Sequence, residues 1–142
     1  MFWGRVRHAL DAKNRTVIPA TWRPEEPASL WLVPQSDHAC LLAMPYEEFR
    51  AIPDRVNARA DLNPERRKRF IDWFFAEAQE VTPDKQGRFV IPEHFCADLN
   101  LRTEVVLAGS EAKFKIWNVE VFDKVHAEYR VDTRDIGKEV QL

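Results

Sequence analysis

The nine residues Asp11-Ala-Lys-Asn-Arg-Thr-Val-Ile-Pro19 decide how the chain is divided, because they recur as Asp84-Lys-Gln-Gly-Arg-Phe-Val-Ile-Pro92. Both copies begin with an aspartate, carry an arginine four residues later and end in Val-Ile-Pro. The offset is 73 residues throughout, and self-similarity at a fixed offset identifies equivalent elements before a fold is assigned. The sequence therefore predicts two copies of one unit, which divide the chain into a first repeat at 1–60, a connecting helix at 61–77 and a second repeat at 78–142.

Each copy has the pattern of a strand, a tight turn and a second strand. Strand-forming residues at 5–10 precede the turn residues Asp11 to Asn14, after which a β-branched run resumes at Thr16. Asn14 and Gly87 occupy the same turn position, and these two residue types most readily accept a positive φ. We therefore expect a β-hairpin in each copy, with the same turn geometry.

Proline and asparagine residues mark the starts of the predicted helices. Pro19 and Pro92 each follow a strand-ending isoleucine and can occupy the first turn of a short helix. Asn118 is a predicted N-cap, and Asn63 followed by Pro64 predicts the start of another helix. We expect inward-facing side chains at Phe122, Val125, His126 and Tyr129 in the former helix and at Phe70, Ile71, Trp73, Phe74 and Phe75 in the latter. Further strand pairs are predicted at 29–33 with 39–44 and at 104–108 with 113–117.

The composition is that of an ordinary soluble protein. With 142 residues, of which 45% are hydrophobic, the chain can bury one sizeable core or two small fused ones. It has no apolar run of membrane-spanning length and no signal-peptide pattern, so we expect a cytoplasmic location. Cys40 and Cys96 lie far apart without metal-site spacing, and we expect both to be packing thiols.

The charge is unevenly distributed along the chain. A net charge of −2 disfavours a nonspecific binder of polyanions, but residues 1–24 carry five basic side chains and one acid, a net charge of +4. Residues 80–95, around the second motif, sum to −1. The overall acidity therefore conceals a basic patch in the first repeat.

Four motifs together resemble one known family, MraZ. They are Met1-Phe-Trp-Gly4, the doubled Asp-x-x-x-Arg with its trailing Ile-Pro, Asn63-Pro-Glu-Arg-Arg67 and Lys113-Phe-Lys-Ile-Trp117, in the family's order and across nearly the whole chain. The resemblance implies an α+β fold of two tandem AbrB-like swapped-hairpin (SpoVT-AbrB) halves related by a pseudo-twofold axis, with a β-rich core and flanking helices. It also implies a ring-like homo-oligomer, associated with the nucleoid, that binds G-rich tandem repeats in double-stranded DNA. Those repeats are expected upstream of the division and cell-wall gene cluster and in the protein's own promoter.

The sequence departs from the family pattern at two places in the first repeat. Asn14 stands where the family usually has glycine, which puts the exact shape of that turn in question. Pro24 and Pro27 should cut short the helix that the family places after Pro19.

Because the first repeat is the basic one, we expect it to contact DNA. A two-stranded ribbon fits the major groove, where an arginine can donate to O6 and N7 of guanine, and Arg15 is the candidate for that contact. Arg5 and Arg7 have strand period two and should lie on one face, where with Lys13 they could contact phosphates. Asp11 should orient the turn or Arg15. For the matching Asp84, Lys85 and Arg88, DNA contact or subunit contact is open, with a structural or subunit role favoured.

Other classes of function find little support in the sequence. It contains no glycine-rich phosphate loop, no nucleophile-elbow serine and no paired carboxylates in an identifiable pocket, so we expect no enzyme and no small-molecule substrate. The histidines show no close pairing, so no metal, cofactor or catalytic residue is expected; they are His8, His38, His94 and His126. No membrane partner is expected. One alternative stays open, in which the same oligomer is a protein-interaction scaffold or an antitoxin-like partner.

Overall fold

The computed structural model describes residues 1–37 and 39–142, so His38 lies outside the described residues. The strands are β1 Arg5–Ala9, β2 Arg15–Val17, β3 Leu30–Pro34, β4 Leu41–Pro45, β5 Gln79–Val81, β6 Arg88–Val90, β7 Glu104–Ser110 and β8 Lys113–Trp117. The α-helices are α1 Tyr46–Asn57, α2 Pro64–Glu77, α3 Glu93–Asp98, α4 Val119–Asp132 and α5 Arg134–Glu139, and a single 3-10 turn covers Ala20–Trp22. No helix in the described part of the chain is long and apolar enough to cross a membrane.

The strands form a six-stranded antiparallel sheet and a separate two-stranded one. The order in the large sheet is β1-β7-β8-β4-β3-β5, and the small sheet pairs β2 with β6. Each strand of the first repeat has a counterpart about 73 residues later, so that β1 corresponds to β5, β2 to β6, β3 to β7 and β4 to β8. Replacing every strand in the large sheet by its counterpart gives the same strand order read from the other edge. The predicted α+β class, with an antiparallel β-rich core and flanking helices, is confirmed.

The predicted hairpin pairing within each copy is wrong. β1 pairs with β7, with Arg5 opposite Ala108, and β2 pairs with β6, with Thr16 opposite Phe89. The strands on either side of the first turn therefore belong to different sheets, although the turn itself closes tightly. The physical reason is backbone satisfaction: pairing β1 with β2 would leave the edges of β7 and β6 without hydrogen-bond partners.

One hydrophobic core joins the two repeats. It contains side chains from both sheets and from the short helices that follow each ribbon strand. Its most completely buried members include Leu32, Leu41, Ile91, Phe95, Leu107, Phe114 and Ile116. Because residues of both repeats lie in this cluster, neither repeat buries its apolar face alone.

The predicted helix starts are confirmed. The Asn63 side chain accepts a hydrogen bond from the Arg66 amide at 2.8 Å, and Pro64 is the first residue of α2. Asn118 likewise accepts from the Val121 amide at 3.0 Å at the start of α4. After Pro19 the helical segment ends at Trp22, as the following prolines predict, whereas its counterpart α3 continues for six residues.

The predicted inward faces of α4 and α2 are buried only in part. On α4, Phe122 is buried beside Trp117 and Val125 is half-buried, but Tyr129 is 49% exposed. On α2, Phe74 is buried, whereas two of the other predicted members, Phe70 and Phe75, are exposed. A helix of 14 residues is about 21 Å long, and the sheet covers only the first turns of α4. Sequence periodicity locates such a face but not the point at which the partner sheet ends.

Both cysteines are buried and free, as the packing interpretation predicts. Burial raises the pKa of the Cys40 thiol to about 12 and that of Cys96 to about 11. Since the thiolate is the reactive form, both should be inert in the native protein at neutral pH.

We therefore predict that dithionitrobenzoate labels neither Cys40 nor Cys96 in the folded protein at pH 8, while both react once guanidinium unfolds the chain. The absorbance of the released thionitrobenzoate, measured with and without guanidinium, provides the test. Rapid reaction of either thiol under native conditions would contradict the packing described for it.

Candidate nucleic-acid interface

The first turn is closed around one carboxylate. Asp11 accepts hydrogen bonds from the Lys13 amide at 2.9 Å, the Arg15 amide at 2.9 Å and Nε of Arg15 at 2.7 Å. The Asn14 amide donates to the Asp11 carbonyl at 2.9 Å, and the φ angle of Asn14 is 61°. Asparagine tolerates this left-handed conformation, so replacing the family's glycine leaves the turn closed.

The second turn has the same construction. Asp84 accepts from the Gln86 amide at 3.0 Å, the Arg88 amide at 2.9 Å and Nε of Arg88 at 2.8 Å. Gly87 has a φ angle of 83° and donates its amide to the Asp84 carbonyl at 2.9 Å. The shared turn geometry that the repeat predicts is confirmed.

The β2–β6 pairing brings the two turns together. The Ile18 amide donates to the Gly87 carbonyl at 2.9 Å, and the Ile91 amide donates to the Asn14 carbonyl at 2.8 Å. Each strand therefore begins in one turn and ends hydrogen-bonded to the other. This two-stranded ribbon contains one strand from each repeat. The strand pattern of each copy alone predicts pairing within the repeat, whereas the family resemblance implies interleaved, swapped halves.

The outer face of the ribbon carries both arginines. Directly opposed residues share a face of an antiparallel pair, and Arg15 lies opposite Val90 while Val17 lies opposite Arg88. Thr16 and Phe89 point to the other face and are buried. The outer face consists of Arg15, Val17, Arg88 and Val90. The strand period of two places these positions on one face, but the residue types do not alternate between polar and apolar, so the sequence did not show which face is outward.

The two aspartates are held in their ionised form. Hydrogen bonds from the backbone and then from the side chain of Arg15 lower the pKa of Asp11, and Arg88 lowers the pKa of Asp84 in the same way. Among the described residues, the guanidinium of Arg15 donates to Asp11 through Nε alone, and that of Arg88 donates to Asp84 in the same way. The two terminal nitrogens of each guanidinium can therefore donate outward, while Asp11 and Asp84 fix its direction.

Arg5 and Arg7 lie on the other sheet. They share the exposed face of β1, as strand periodicity predicts. Nε of Arg7 lies 3.1 Å from a carboxylate oxygen of Glu104, and the Arg5 guanidinium stacks 5.6 Å from the centre of the Phe122 ring. The structure thus brings together Asp11, Lys13 and Arg15 with Asp84, Lys85 and Arg88, and it places Arg5 and Arg7 apart from them on a different sheet.

Comparison with known proteins identifies the family. A family model described as "MraZ protein, putative antitoxin-like" matches residues 74–139. A relative from Carboxydothermus hydrogenoformans, named "Transcriptional regulator MraZ", is 36% identical over 123 residues, which cover 87% of this chain and 85% of that protein. The chain belongs to the MraZ family. Another MraZ relative with the same name, from Clostridium tetani, is 31% identical over 140 residues, or 99% of this chain and 96% of that protein.

Membership in MraZ confirms the AbrB-like fold that the sequence motifs implied. A third MraZ relative, from Syntrophobacter fumaroxidans, is 36% identical over 124 residues, which cover 86% of this chain and 82% of that protein. These relatives are named as transcriptional regulators and not as enzymes. The match to the Clostridium tetani relative covers 99% of this chain and therefore spans both Asp-x-x-x-Arg turns.

We predict that Asp84→Asn lowers the melting temperature at pH 7, because the asparagine is a weaker acceptor for the amide and Nε of Arg88. A carboxyl whose pKa is depressed by folding stabilises the protein above its unfolded pKa, and this contribution is lost as the pH falls through the folded pKa. The difference from the unsubstituted protein should therefore shrink as the pH is lowered below the ordinary aspartate range. Scanning calorimetry across the pH series measures it.

Asp123→Asn, on the exposed surface of α4, is the matched control and should leave the melting temperature almost unchanged at every pH. An undiminished difference between Asp84→Asn and the unsubstituted protein in strong acid would show that the ionised carboxylate is not what closes the turn.

Proposed function

We propose that the chain is a transcriptional regulator that binds double-stranded DNA through the outer face of the β2–β6 ribbon. The observation that carries this proposal is the pair of arginines, each fixed by its own aspartate, on one solvent-facing ribbon. A two-stranded ribbon has the width to enter the major groove. The relatives' names support a role in transcription.

Arg15 is the proposed guanine contact of the first turn. Asp11 occupies Nε, so the two terminal nitrogens form the fork that donates to O6 and N7 of guanine. A good bidentate pair of this kind provides about 1–3 kcal/mol of discrimination against the wrong base. Because Asp11 already holds the side chain, little rotamer entropy remains to be lost on binding.

Arg88 is the proposed second guanine contact, in place of the structural or subunit role that the sequence favoured. It is held by Asp84 as Arg15 is held by Asp11, and it lies at the opposite end of the same ribbon. The two arginines are offset by two residues along the strand direction, a distance of about 7 Å. That length corresponds to about two base-pair steps along one DNA strand, so one protomer could contact two nearby purines.

The exposed lysines of the two turns are the proposed phosphate contacts. Lys13 and Lys85 each follow the turn aspartate closely and lie beside the arginine-bearing face. Arg5 and Arg7 are proposed as weaker contacts, since Glu104 offsets the charge of Arg7 and Arg5 rests on Phe122. Phosphate contacts set affinity and its salt dependence, whereas the base contacts set specificity.

We extend the proposal to a ring-like homo-oligomer acting on tandem sites. Few phosphate contacts per protomer give weak binding, and several linked ribbons would raise the affinity for G-rich tandem repeats. Exposed apolar side chains on α4, on α5 and just after α5 offer a surface for subunit contact, and they include Val131, Ile136 and Val140. The proposed targets are the protein's own promoter and the division and cell-wall gene cluster, with the protein at the nucleoid in the cytoplasm.

The same exposed helices favour a second candidate function. A surface of this kind can also bind a different protein, as in a scaffold or an antitoxin-like partner, and the matched family model carries the description "antitoxin-like". The two functions are distinguished by the ribbon, because a protein scaffold would not depend on Arg15 and Arg88.

We predict that Arg15→Ala and Arg88→Ala each weaken binding to a duplex from the protein's own upstream region by about 5–150-fold, the range expected for one bidentate guanine contact. Mobility-shift titrations at fixed salt measure this effect, with a scrambled duplex in parallel. Lys13→Ala should weaken binding to both duplexes to a similar extent, because phosphates carry no sequence information.

Arg130→Ala, on the exposed surface of α4, is the matched control and should bind as the unsubstituted protein does. Light scattering should give the same oligomer size for all variants. Sequence-specific binding that survives in the Arg15→Ala/Arg88→Ala double variant would contradict the ribbon as the recognition element and favour the protein-interaction function.

A further inference from the structure

A cavity of about 810 Å³ opens beside the second turn. Its walls come from five separate parts of the chain, namely residues 1–3, residues 18–30, Pro45, residues 83–87 and Phe114. Pockets that bind small organic molecules have volumes of about 300–1,000 Å³ and are lined mainly by apolar and aromatic side chains with a few polar groups. The size and position of this cavity therefore suit a small organic ligand.

Aromatic side chains form the inner wall of the cavity. The Phe2 ring meets the Trp22 ring edge-on at 5.7 Å between centroids, and the Phe114 ring lies 5.3 Å from Phe2 and 5.2 Å from Trp22. The Trp22 indole donates its N–H to the Trp3 carbonyl at 2.9 Å, which fixes the orientation of this wall. Rigid aromatic rings of this kind favour a flat apolar or aromatic body.

Arg23 supplies a half-buried guanidinium that has no partner among the described residues. Its Nε atom is buried, and no hydrogen-bond acceptor is found for it among the described residues. Nε itself has no accessible surface, so a ligand in the cavity would reach the guanidinium through its two terminal nitrogens. Among the described residues these nitrogens make no hydrogen bond, and an anionic group would be the strongest acceptor for them.

The acidic side chains that border the cavity do not form an ion pair with Arg23. Asp84, which also borders the cavity, already accepts bonds from its own turn, and Glu25 and Glu26 are exposed at the rim. No carboxylate of the described residues lies within ion-pair distance of Arg23. The guanidinium therefore faces the cavity without an internal counter-charge.

Arg23 is also packed closely against the second turn. A Cβ atom added to Gly87 would lie 2.7 Å from Cδ of Arg23 and 3.1 Å from the Ile18 carbonyl oxygen. Glycine at this position thus makes room for the arginine stem as well as for the positive φ angle. The turn and the side chain of Arg23 hold each other in place, which keeps its Nε directed away from bulk solvent.

We propose that this cavity binds a small organic anion with an aromatic or flat apolar body, its acidic group on Arg23 and its body against Phe2 and Trp22, which Phe114 supports from behind. The Coulombic and hydrogen-bonding partner is the guanidinium, and the aromatic wall supplies the apolar contact. The site is a ligand site and not a catalytic one. It borders the proposed DNA contacts, because Asp84 and Lys85 of the second turn also line the cavity.

Two fluorescent probes of matched shape test the proposal: anilinonaphthalene sulfonate, which carries an anion, and phenylnaphthylamine, which is neutral. We expect Arg23→Met to weaken binding of the sulfonate by about tenfold or more, because the substitution keeps the apolar stem but removes the charged donor. Binding of the neutral probe should change less than threefold. Arg130→Met is the control and should bind both probes as the unsubstituted protein does.

Nuclear magnetic resonance of the unsubstituted protein provides a readout that needs no folded variant. The sulfonate should shift the side-chain Nε–H signal of Arg23 and the indole N–H signal of Trp22 together, with one dissociation constant. Shifts confined to the exposed faces of α4 and α5 would overturn the proposal. So would equal loss of both probes in Arg23→Met, or displacement of the sulfonate by a short duplex, which would make Arg23 a DNA phosphate contact.

Discussion

The structure depends on the reciprocal hydrogen bonds that join the two turns. The Ile18 amide reaches the Gly87 carbonyl and the Ile91 amide reaches the Asn14 carbonyl, so each turn is the partner that the other requires. This pairing leaves β1 to complete the sheet at β7 and β5 to complete it at β3. Both repeats then contribute to one core, and the ribbon stands on it with only its outer face in solvent.

The same constraint explains how a chain with a net charge of −2 can present the arginine-bearing surface that we propose as the DNA contact. The two turn carboxylates make their hydrogen bonds within the protein, since Asp11 and Asp84 each accept three hydrogen bonds from their own turns. The arginines keep their terminal nitrogens directed outward. In the account proposed here, local geometry therefore matters more for DNA recognition than the sum of charges, and the second repeat contributes despite its acidic surroundings.

Local chemistry was predictable from neighbouring residues, whereas the strand pattern of each copy did not indicate the pairing between repeats. The caps at Asn63 and Asn118 and the short helical turn before Pro24 are encoded by neighbouring residues, and each is confirmed. A tight Asp-to-Arg turn is the same whether its flanking strands pair with each other or with another repeat, so its residues could not reveal the exchange. The partial burial of α4 depends on where a distant sheet ends, and the unpartnered Nε of Arg23 lies beside a cavity formed by five separate parts of the chain.

Amide hydrogen exchange at Ile18 and Ile91 is the sharpest test of the shared ribbon, because these two amides make the bonds that join the turns. Both should exchange slowly in the native protein and open together, with the same free energy, since breaking one bond removes the geometry of the other. Independent opening, or rapid exchange at either amide while the six-stranded sheet stays protected, would show that the two repeats are not closed by a shared ribbon.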